Sequence, residues 1–198
     1  MRWCYGPIIL KVVYLKNNGG GKFELIPLPV MAQLAPLNGM VTDDFNNDGN
    51  LDVAITGNDY GNEVNNGKYD AMNGLILLGD GNGNFSAQSI LRSGFFVPGD
   101  AKALIKLRRV NDGYALVASQ NGGPLKMFIH KRQHQKEIPL QPFDMFAWIT
   151  YKNGKRQKCD ISYGSSFLSQ SSRFLKADSN MVSIEIKNSR QQVRKINL

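Results

Sequence analysis

Short apolar segments joined by glycine- and asparagine-rich turns recur along this chain at a nearly constant interval. Residues 14–23 (YLKNNGGGKF) align with residues 76–85 (ILLGDGNGNF) at an offset of 62. Each copy has an apolar strand pattern, a tight turn and a second strand that begins with phenylalanine. Residues 47–54 align with residues 111–118 at an offset of 64. Two nearly equal offsets indicate a repeated hairpin unit of about 60 residues.

The repeat and the composition together predict an all-β protein. Of the 198 residues, 20 are glycine and 42% are hydrophobic, which supports a packed core punctuated by turns. A hairpin period of this size favours an incomplete β-propeller, in which each blade is a small antiparallel sheet. A β-sandwich whose hairpins share turn chemistry is the alternative. No apolar run approaches the roughly 20 residues of a membrane-spanning helix.

Residues 44–52 (DFNNDGNLD) have the spacing of an oxygen cage for a hard divalent cation. The predicted ligands fall at loop positions 1, 3, 5, 7 and 9, and they are Asp44, Asn46, Asp48, Asn50 (through its backbone carbonyl) and Asp52. Gly49 falls at the sharp bend. Calcium (Ca²⁺) takes six to eight oxygen ligands, and it would relieve the repulsion among three crowded carboxylates. A turn of the same composition that binds no metal is the alternative.

The loop lacks the features of an EF-hand. Position 12 is Ile55, where an EF-hand requires a bidentate glutamate, and the flanking sequences predict strands rather than helices. The later copy of the repeat keeps the turn but has Arg108, Val110 and Leu116 at three ligand positions. We therefore expect a cation that stiffens one β-hairpin rather than one that switches a helix pair.

Residues 44–54 (DFNNDGNLDVA), followed by residues 75–85 (LILLGDGNGNF), resemble the FG-GAP (VCBS-type) repeat. The resemblance covers about residues 10–128. It implies blades of an integrin-like β-propeller, whose cation loops rigidify the blade hairpins, with the five ligands named above. Residues 57–73 form an insertion, in which Asp59, Glu63 and Asp70 are either further ligands or part of a surface loop.

The C-terminal part of the chain resembles a second family. The segments WITY (148–151), GSSFLSQSS (164–172) and VSIEI (182–186) are similar to the ASPIC/UnbV domain, which commonly follows FG-GAP-type repeats. We therefore expect about two and a half blades in residues 1–128, a linker in residues 129–142, and a small β-sandwich or barrel-like domain in residues 143–198. In this last part, strands are predicted at residues 145–151, 155–161, 181–186 and 191–196.

The net charge of +8 is unevenly distributed. Residues 1–100 carry six Lys or Arg against ten Asp or Glu, whereas residues 101–198 carry 18 against six. A strongly basic half can attract a polyanion, although scattered cations also keep exposed strands soluble. Cys4 and Cys159 are the two cysteines, and they are either a pair or two free thiols.

No catalytic constellation emerges from the sequence. Ser169, Ser171 and Ser172 lack a nucleophile elbow, and a serine nucleophile needs a base within reach. The two histidines, His130 and His134, are spaced for a metal on a helix, but the pattern contains no third ligand. We therefore expect a protein that is not an enzyme.

The expected function is a calcium-stabilised, non-enzymatic recognition or adhesion module that binds a protein or a glycan. Family resemblance implies an extracellular or cell-surface location, although the N-terminal sequence is a poor signal peptide. The alternatives are an accessory or partial domain of a carbohydrate-processing enzyme and a polyanion binder that uses residues 101–198. A propeller needs at least four blades, so the missing ones would come from a longer chain or another subunit.

Overall fold

The computed structural model describes residues 11–110, 113–130, 136–165 and 168–198. Almost all regular structure in these residues is β-strand, as the repeat and the composition predict. The strands are β1 (Val13–Asn17), β2 (Phe23–Pro27), β3 (Leu37–Asp43), β4 (Asp52–Gly57), β5 (Leu75–Gly79), β6 (Phe85–Gln88), β7 (Ala101–Arg108), β8 (Tyr114–Gln120), β9 (Gly123–Ile129), β10 (Lys136–Pro139), β11 (Asp144–Tyr151), β12 (Arg156–Asp160), β13 (Phe174–Ala177), β14 (Met181–Asn188) and β15 (Val193–Asn197).

Helical structure in the described residues is limited to single turns. Two 3₁₀ turns span Val30–Gln33 and Val64–Asn66, and α1 spans Ile90–Ser93. No helix in the described part of the chain has the length and apolar character to cross a membrane. The all-β prediction is confirmed.

The chain divides into two units, Met1–Lys102 with Gln120–Pro124, and Ala103–Ser119 with Leu125–Leu198. The first unit contains the hairpin β1–β2 and a four-stranded antiparallel sheet in the order β3-β4-β5-β6. All six residues of β4 are buried, because this strand is central in its sheet. One apolar cluster underlies the sheet, with Ala32, Ala35, Val53, Ile55, Met72, Leu75 and Leu77 as its buried members.

The second unit contains a four-stranded antiparallel sheet in the order β12-β11-β14-β15 and a two-stranded antiparallel sheet formed by β10 and β13. A shared apolar cluster joins the two-stranded sheet to the four-stranded one, with Ile138, Ala147, Ile149, Leu175, Ala177, Ile184 and Ile186 as its buried members. The four strands predicted from the sequence in this region form within one or two residues of the expected bounds.

Strand β10 lies inside residues 129–142, which the sequence predicts to be a linker. Its Ile138 is only 4% exposed and belongs to the core of the second unit. Strands β7, β8 and β9 form a three-stranded sheet in that order. Domain boundaries at residues 128 and 142 stay a prediction. No sheet in the described residues closes into a barrel. The propeller arrangement stays a prediction.

Candidate metal site

The predicted calcium loop connects β3 to β4 at the end of their antiparallel pairing. The last paired residues are Asp43 and Asp52, so residues 44–51 form the connection. Two residues of this connection have left-handed backbone conformations, Asn47 with φ 64° and Gly49 with φ 88°. Glycine adopts this conformation without a Cβ penalty, and asparagine tolerates it, so the chain can curl tightly here.

The side chains of Asp44, Asn46 and Asp48 accept hydrogen bonds from the backbone N–H groups of residues 48–50. The two carboxylate oxygens of Asp44 accept the N–H groups of Asp48 at 3.2 Å and Gly49 at 3.1 Å. The Asn46 Oδ1 atom accepts the Asp48 N–H at 3.0 Å. The Asp48 Oδ1 atom accepts the Asn50 N–H at 2.8 Å. The predicted ligands at positions 1, 3 and 5 are therefore gathered in one turn.

Asp48 is held in its ionised form. The Asn50 N–H and the Asn46 side-chain amide, which donates to Asp48 Oδ2 at 2.8 Å, lower the pKa of this carboxyl below its usual value. Hydrogen bonds to the charged form stabilise that form. Asp48 thus carries a full negative charge at neutral pH at an exposed position of the loop.

Asp52 is buried, unlike the exposed Asn46 and Asp48. Its side chain is fully buried, and it accepts the Phe45 N–H at 2.7 Å through Oδ2 and the Gly79 N–H at 2.9 Å through Oδ1. Burial raises the pKa of Asp52, and these backbone N–H groups oppose that effect. Asp52 consequently links the loop to β5, a role that the spacing of the motif did not indicate.

A second asparagine-rich turn lies beside the loop. Asp80, between β5 and β6, accepts the N–H groups of Asn82 at 2.8 Å and Asn84 at 3.0 Å. A Cβ atom on Gly81 would lie 2.4 Å from the Asn50 Oδ1 atom, so the two turns are in close contact. The side chain of Asn50 thus packs on the neighbouring turn, while its backbone carbonyl is the predicted ligand.

The donor set of the loop fits a hard cation. Asp44 and Asp48 supply carboxylates, Asn46 supplies an amide oxygen, and Asn50 supplies a carbonyl, which are the ligand types that Ca²⁺ prefers. Across the described residues, no group of three or more His, Cys, Asp or Glu side chains is arranged to hold a metal ion. Both carboxylate oxygens of Asp52 accept backbone N–H groups, as those of Asp44 also do.

The insertion after β4 has its own interactions. The Asp59 Oδ1 atom accepts the Gly61 N–H at 3.0 Å and lies 3.4 Å from the Lys102 Nζ atom. The Gly61 N–H is the main cause of a lowered pKa for Asp59. Glu63 precedes the 3₁₀ turn at Val64–Asn66, and Asp70 is exposed. Asp59 therefore has a cationic neighbour, and a role of Asp59, Glu63 or Asp70 in metal binding stays a prediction.

Two of the serines in the C-terminal motif contact a neighbouring strand. The Ser171 Oγ atom accepts the Lys106 N–H at 3.0 Å, and the Ser172 Oγ atom accepts the Arg108 N–H at 3.1 Å. These hydroxyls therefore satisfy backbone donors of β7. His130 stacks on Tyr114 with ring centroids 5.2 Å apart, whereas His134 lies outside the described residues. Cys159 is a free thiol, and Cys4 also lies outside them.

No protein-family model and no curated protein matches this chain. The resemblances to FG-GAP repeats and to the ASPIC/UnbV domain therefore stay predictions from the sequence motifs. The loop between β3 and β4 remains the candidate site, on the basis of its own residues and their contacts.

Proposed function

We propose that this protein is a calcium-stabilised recognition or adhesion module that binds a protein or glycan and catalyses no reaction. The supporting observation is the inward convergence of Asp44, Asn46 and Asp48 on one turn of backbone. These residues, with the Asn50 carbonyl, would hold the cation, and Asp52 would complete the set or anchor it. When bound, calcium supplies positive charge that neutralises the clustered carboxylates.

The position of the loop supports a structural role for the cation. The loop closes the β3–β4 hairpin, and Asp52 connects it to β5 through the Gly79 N–H. Holding Asp44 and Asp48 together would therefore restrain three strands of one sheet. A stiffened hairpin presents its neighbouring loops in a fixed conformation, which lowers the entropy cost of binding a partner.

The architecture of the first unit supports the propeller proposal. Strands β3 to β6 form an antiparallel sheet in sequential order, which is the arrangement of a single propeller blade. We propose that further blades come from a longer chain or another subunit. An extracellular or cell-surface location would suit such a loop, because sites in extracellular modules work at calcium dissociation constants of about 10⁻⁴–10⁻³ M.

The test combines calorimetric calcium titration with thermal unfolding in calcium and in chelator. We expect binding heat and a higher melting temperature in calcium, because a ligand at 100 times its dissociation constant stabilises the folded state by about 2.7 kcal/mol. Asp48→Ala should abolish both effects. Asp80→Ala is the matched control, since it removes the same charge from the neighbouring turn and should leave calcium binding intact.

Three outcomes would contradict the proposal. These are a wild-type protein with neither heat nor a melting shift, an Asp48→Ala variant that binds calcium like the wild type, and an Asp80→Ala variant that loses binding equally. Melting in magnesium at the same concentration tests selectivity. Magnesium demands near-ideal octahedral geometry, so a flexible loop should respond less to it.

A further inference from the structure

The four-stranded sheet of the second unit has one face in the core and one face toward solvent. Side chains alternate along β11, so Ala147 and Ile149 lie in the apolar cluster. Phe146 and Trp148 consequently lie on the opposite face, where both are half-buried. We call this the outer sheet face, and it comprises the outward residues of β11, β12, β14 and β15.

Cationic side chains outnumber anionic ones on the outer sheet face. The strand register places Lys158 and Glu185 on either side of Trp148, and it places Lys195 beside Glu185. By the same register, further charged side chains point outward. The cations on the outer sheet face are Arg156, Lys158, Lys187 and Lys195, and the anions are Asp160 and Glu185. Four cations therefore face two carboxylates.

The aromatic rings position three of these cations. The Arg156 guanidinium lies 4.8 Å from the centre of the Trp148 ring, and the Lys158 and Lys187 ammonium groups lie 4.9 Å and 5.9 Å from the Phe146 ring centre. A cation over an aromatic face is attracted by the ring quadrupole without losing its charge. The positive groups are thus held in place while remaining available to an anion.

The cations of the ion pairs on this face are solvent-exposed, so the pairs are exchangeable. Glu185 is 2.7 Å from Arg156 and 3.3 Å from Lys195, and Asp160 is 2.7 Å from Lys158. The Lys158 and Lys195 side chains remain 45% and 57% exposed. Exposed pairs of this kind contribute about 0–1 kcal/mol each, so an incoming anion can compete for the cations.

We propose that the outer sheet face binds an acidic polysaccharide, through its sulfate or carboxylate groups. The excess of cations matches an anionic ligand. The rings already carry cations, which leaves little aromatic surface for the base stacking that single-stranded nucleic acids use. This inference does not depend on calcium, since every residue involved lies in the second unit.

The dimensions of the face suit an extended polymer. Neighbouring strands lie about 4.8 Å apart, and outward residues on one strand repeat about every 6.7 Å. Four strands therefore spread the cations over roughly 14 Å. A polysaccharide with a charge on every one or two sugar rings would contact several of these cations. Lys152 and Lys155, in the β11–β12 turn, extend the positive charge beyond the strands.

The test uses the full chain on immobilised heparin and in solution with heparin oligosaccharides, with chelator present. The double variant Lys158→Gln/Lys195→Gln removes one cation from each edge strand. We expect about tenfold weaker binding. The slope of log affinity against log salt concentration should fall by about two, by analogy with counterion release from nucleic acids.

The matched control is Lys16→Gln/Lys22→Gln, which removes two exposed lysines of the first unit and should leave heparin binding unchanged. Lys158→Arg/Lys195→Arg should retain affinity, and melting temperatures verify folding of all variants. The proposal fails if the wild type is not retained at low salt or if the control pair loses as much affinity. It also fails if oligo(dT) of equal charge binds more tightly than heparin. Failure of calcium binding would leave these results unchanged.

Discussion

Asp52 and Gly79 lie 27 residues apart, and the buried Asp52 Oδ1 atom accepts the Gly79 N–H at 2.9 Å. The other carboxylate oxygen accepts the Phe45 N–H at 2.7 Å. One buried side chain therefore joins the beginning of the β3–β4 loop to the end of β5. This contact makes the conformation of the candidate calcium loop depend on the sheet beneath it.

Replacing Asp52 should destabilise the first unit even without calcium. Asp52→Ala leaves the Phe45 and Gly79 N–H groups without their acceptor, and each buried unsatisfied donor costs about 1–3 kcal/mol. We expect a loss of about 2–4 kcal/mol in the free energy of unfolding, measured by urea denaturation in chelator. Asp80→Ala, in an exposed turn where water replaces the carboxylate, should cost less than half of that. Equal losses would show that the link to β5 is unimportant.

Replacing the buried Asn58 should also destabilise the first unit. It is fully buried, its side-chain amide donates to the Met72 carbonyl at 2.7 Å and the Gly99 carbonyl at 2.8 Å, and its Oδ1 accepts the Met72 N–H at 3.0 Å. Its φ of 82° also disfavours alanine. We expect Asn58→Ala to cost about 3–5 kcal/mol, from three lost bonds and backbone strain.

Asn58→Gly separates these two contributions. Glycine accepts the left-handed backbone but provides no side-chain hydrogen bonds, so it should be more stable than alanine by about 1 kcal/mol. Urea denaturation of both variants measures the difference. If alanine and glycine are equally stable, backbone strain at this position contributes nothing.

Gly57 should tolerate no side chain, because a Cβ atom there would lie 2.1 Å from the Pro36 carbonyl oxygen. The clash is with backbone, so relief requires the chain before β3 to move. We expect Gly57→Ala to lower the free energy of unfolding by about 3 kcal/mol. Gly19→Ala is the comparison, since an added Cβ atom there would meet no other atom within 4 Å and only the φ of 80° opposes alanine. It should cost about 1 kcal/mol.

Acid should weaken the β5–β6 turn through Asp80. The Asn84 side chain, followed by the N–H groups of Asn82 and Asn84, lowers the pKa of Asp80 from its usual 3.8. Its contribution to stability is therefore complete above pH 3.8 and lost as the pH falls through the lower folded-state pKa. Carboxyl NMR titration measures this pKa directly. Asn84→Ala should move it back toward the ordinary value, and an unchanged pKa would contradict the assigned cause.

Cys159 should react slowly in the folded protein. It packs against the apolar cluster of the second unit, and burial raises the pKa of its thiol. Only the thiolate is nucleophilic, so both access and ionisation oppose alkylation at pH 8. In a Cys4→Ser background, iodoacetamide should modify Cys159 at least about tenfold more slowly than it modifies the urea-unfolded chain. Similar rates would show that the strand is readily opened.

Local sequence chemistry accounted for much of the architecture. Glycine and asparagine between apolar segments marked the turns, and the short segments between turns predicted β11, β12, β14 and β15. The predicted β-hairpin around residues 44–52 forms as expected. These features depend on residues within one turn or one strand, so neighbouring sequence carries enough information to specify them.

Pairing between strands that are far apart in the sequence could not be predicted from local sequence patterns. Ile138 lies in a segment with a polar and basic composition that favoured a linker, yet β10 pairs with β13 and buries this side chain. Ser171 and Ser172 bond the backbone of β7, more than 60 residues earlier in the chain. Such contacts depend on which strands lie next to each other in the fold, and a local sequence pattern does not specify that neighbour.

The candidate calcium loop combines both kinds of information. The sequence alone determined the oxygen donors and their order, because alternate residues of a tight turn point to one centre. Only the tertiary structure decided that both carboxylate oxygens of Asp52 accept backbone N–H groups, from Phe45 and Gly79, so that this residue also links the loop to β5. The physical reason is that Asp52 begins a central buried strand, where unpaired backbone N–H groups must find acceptors.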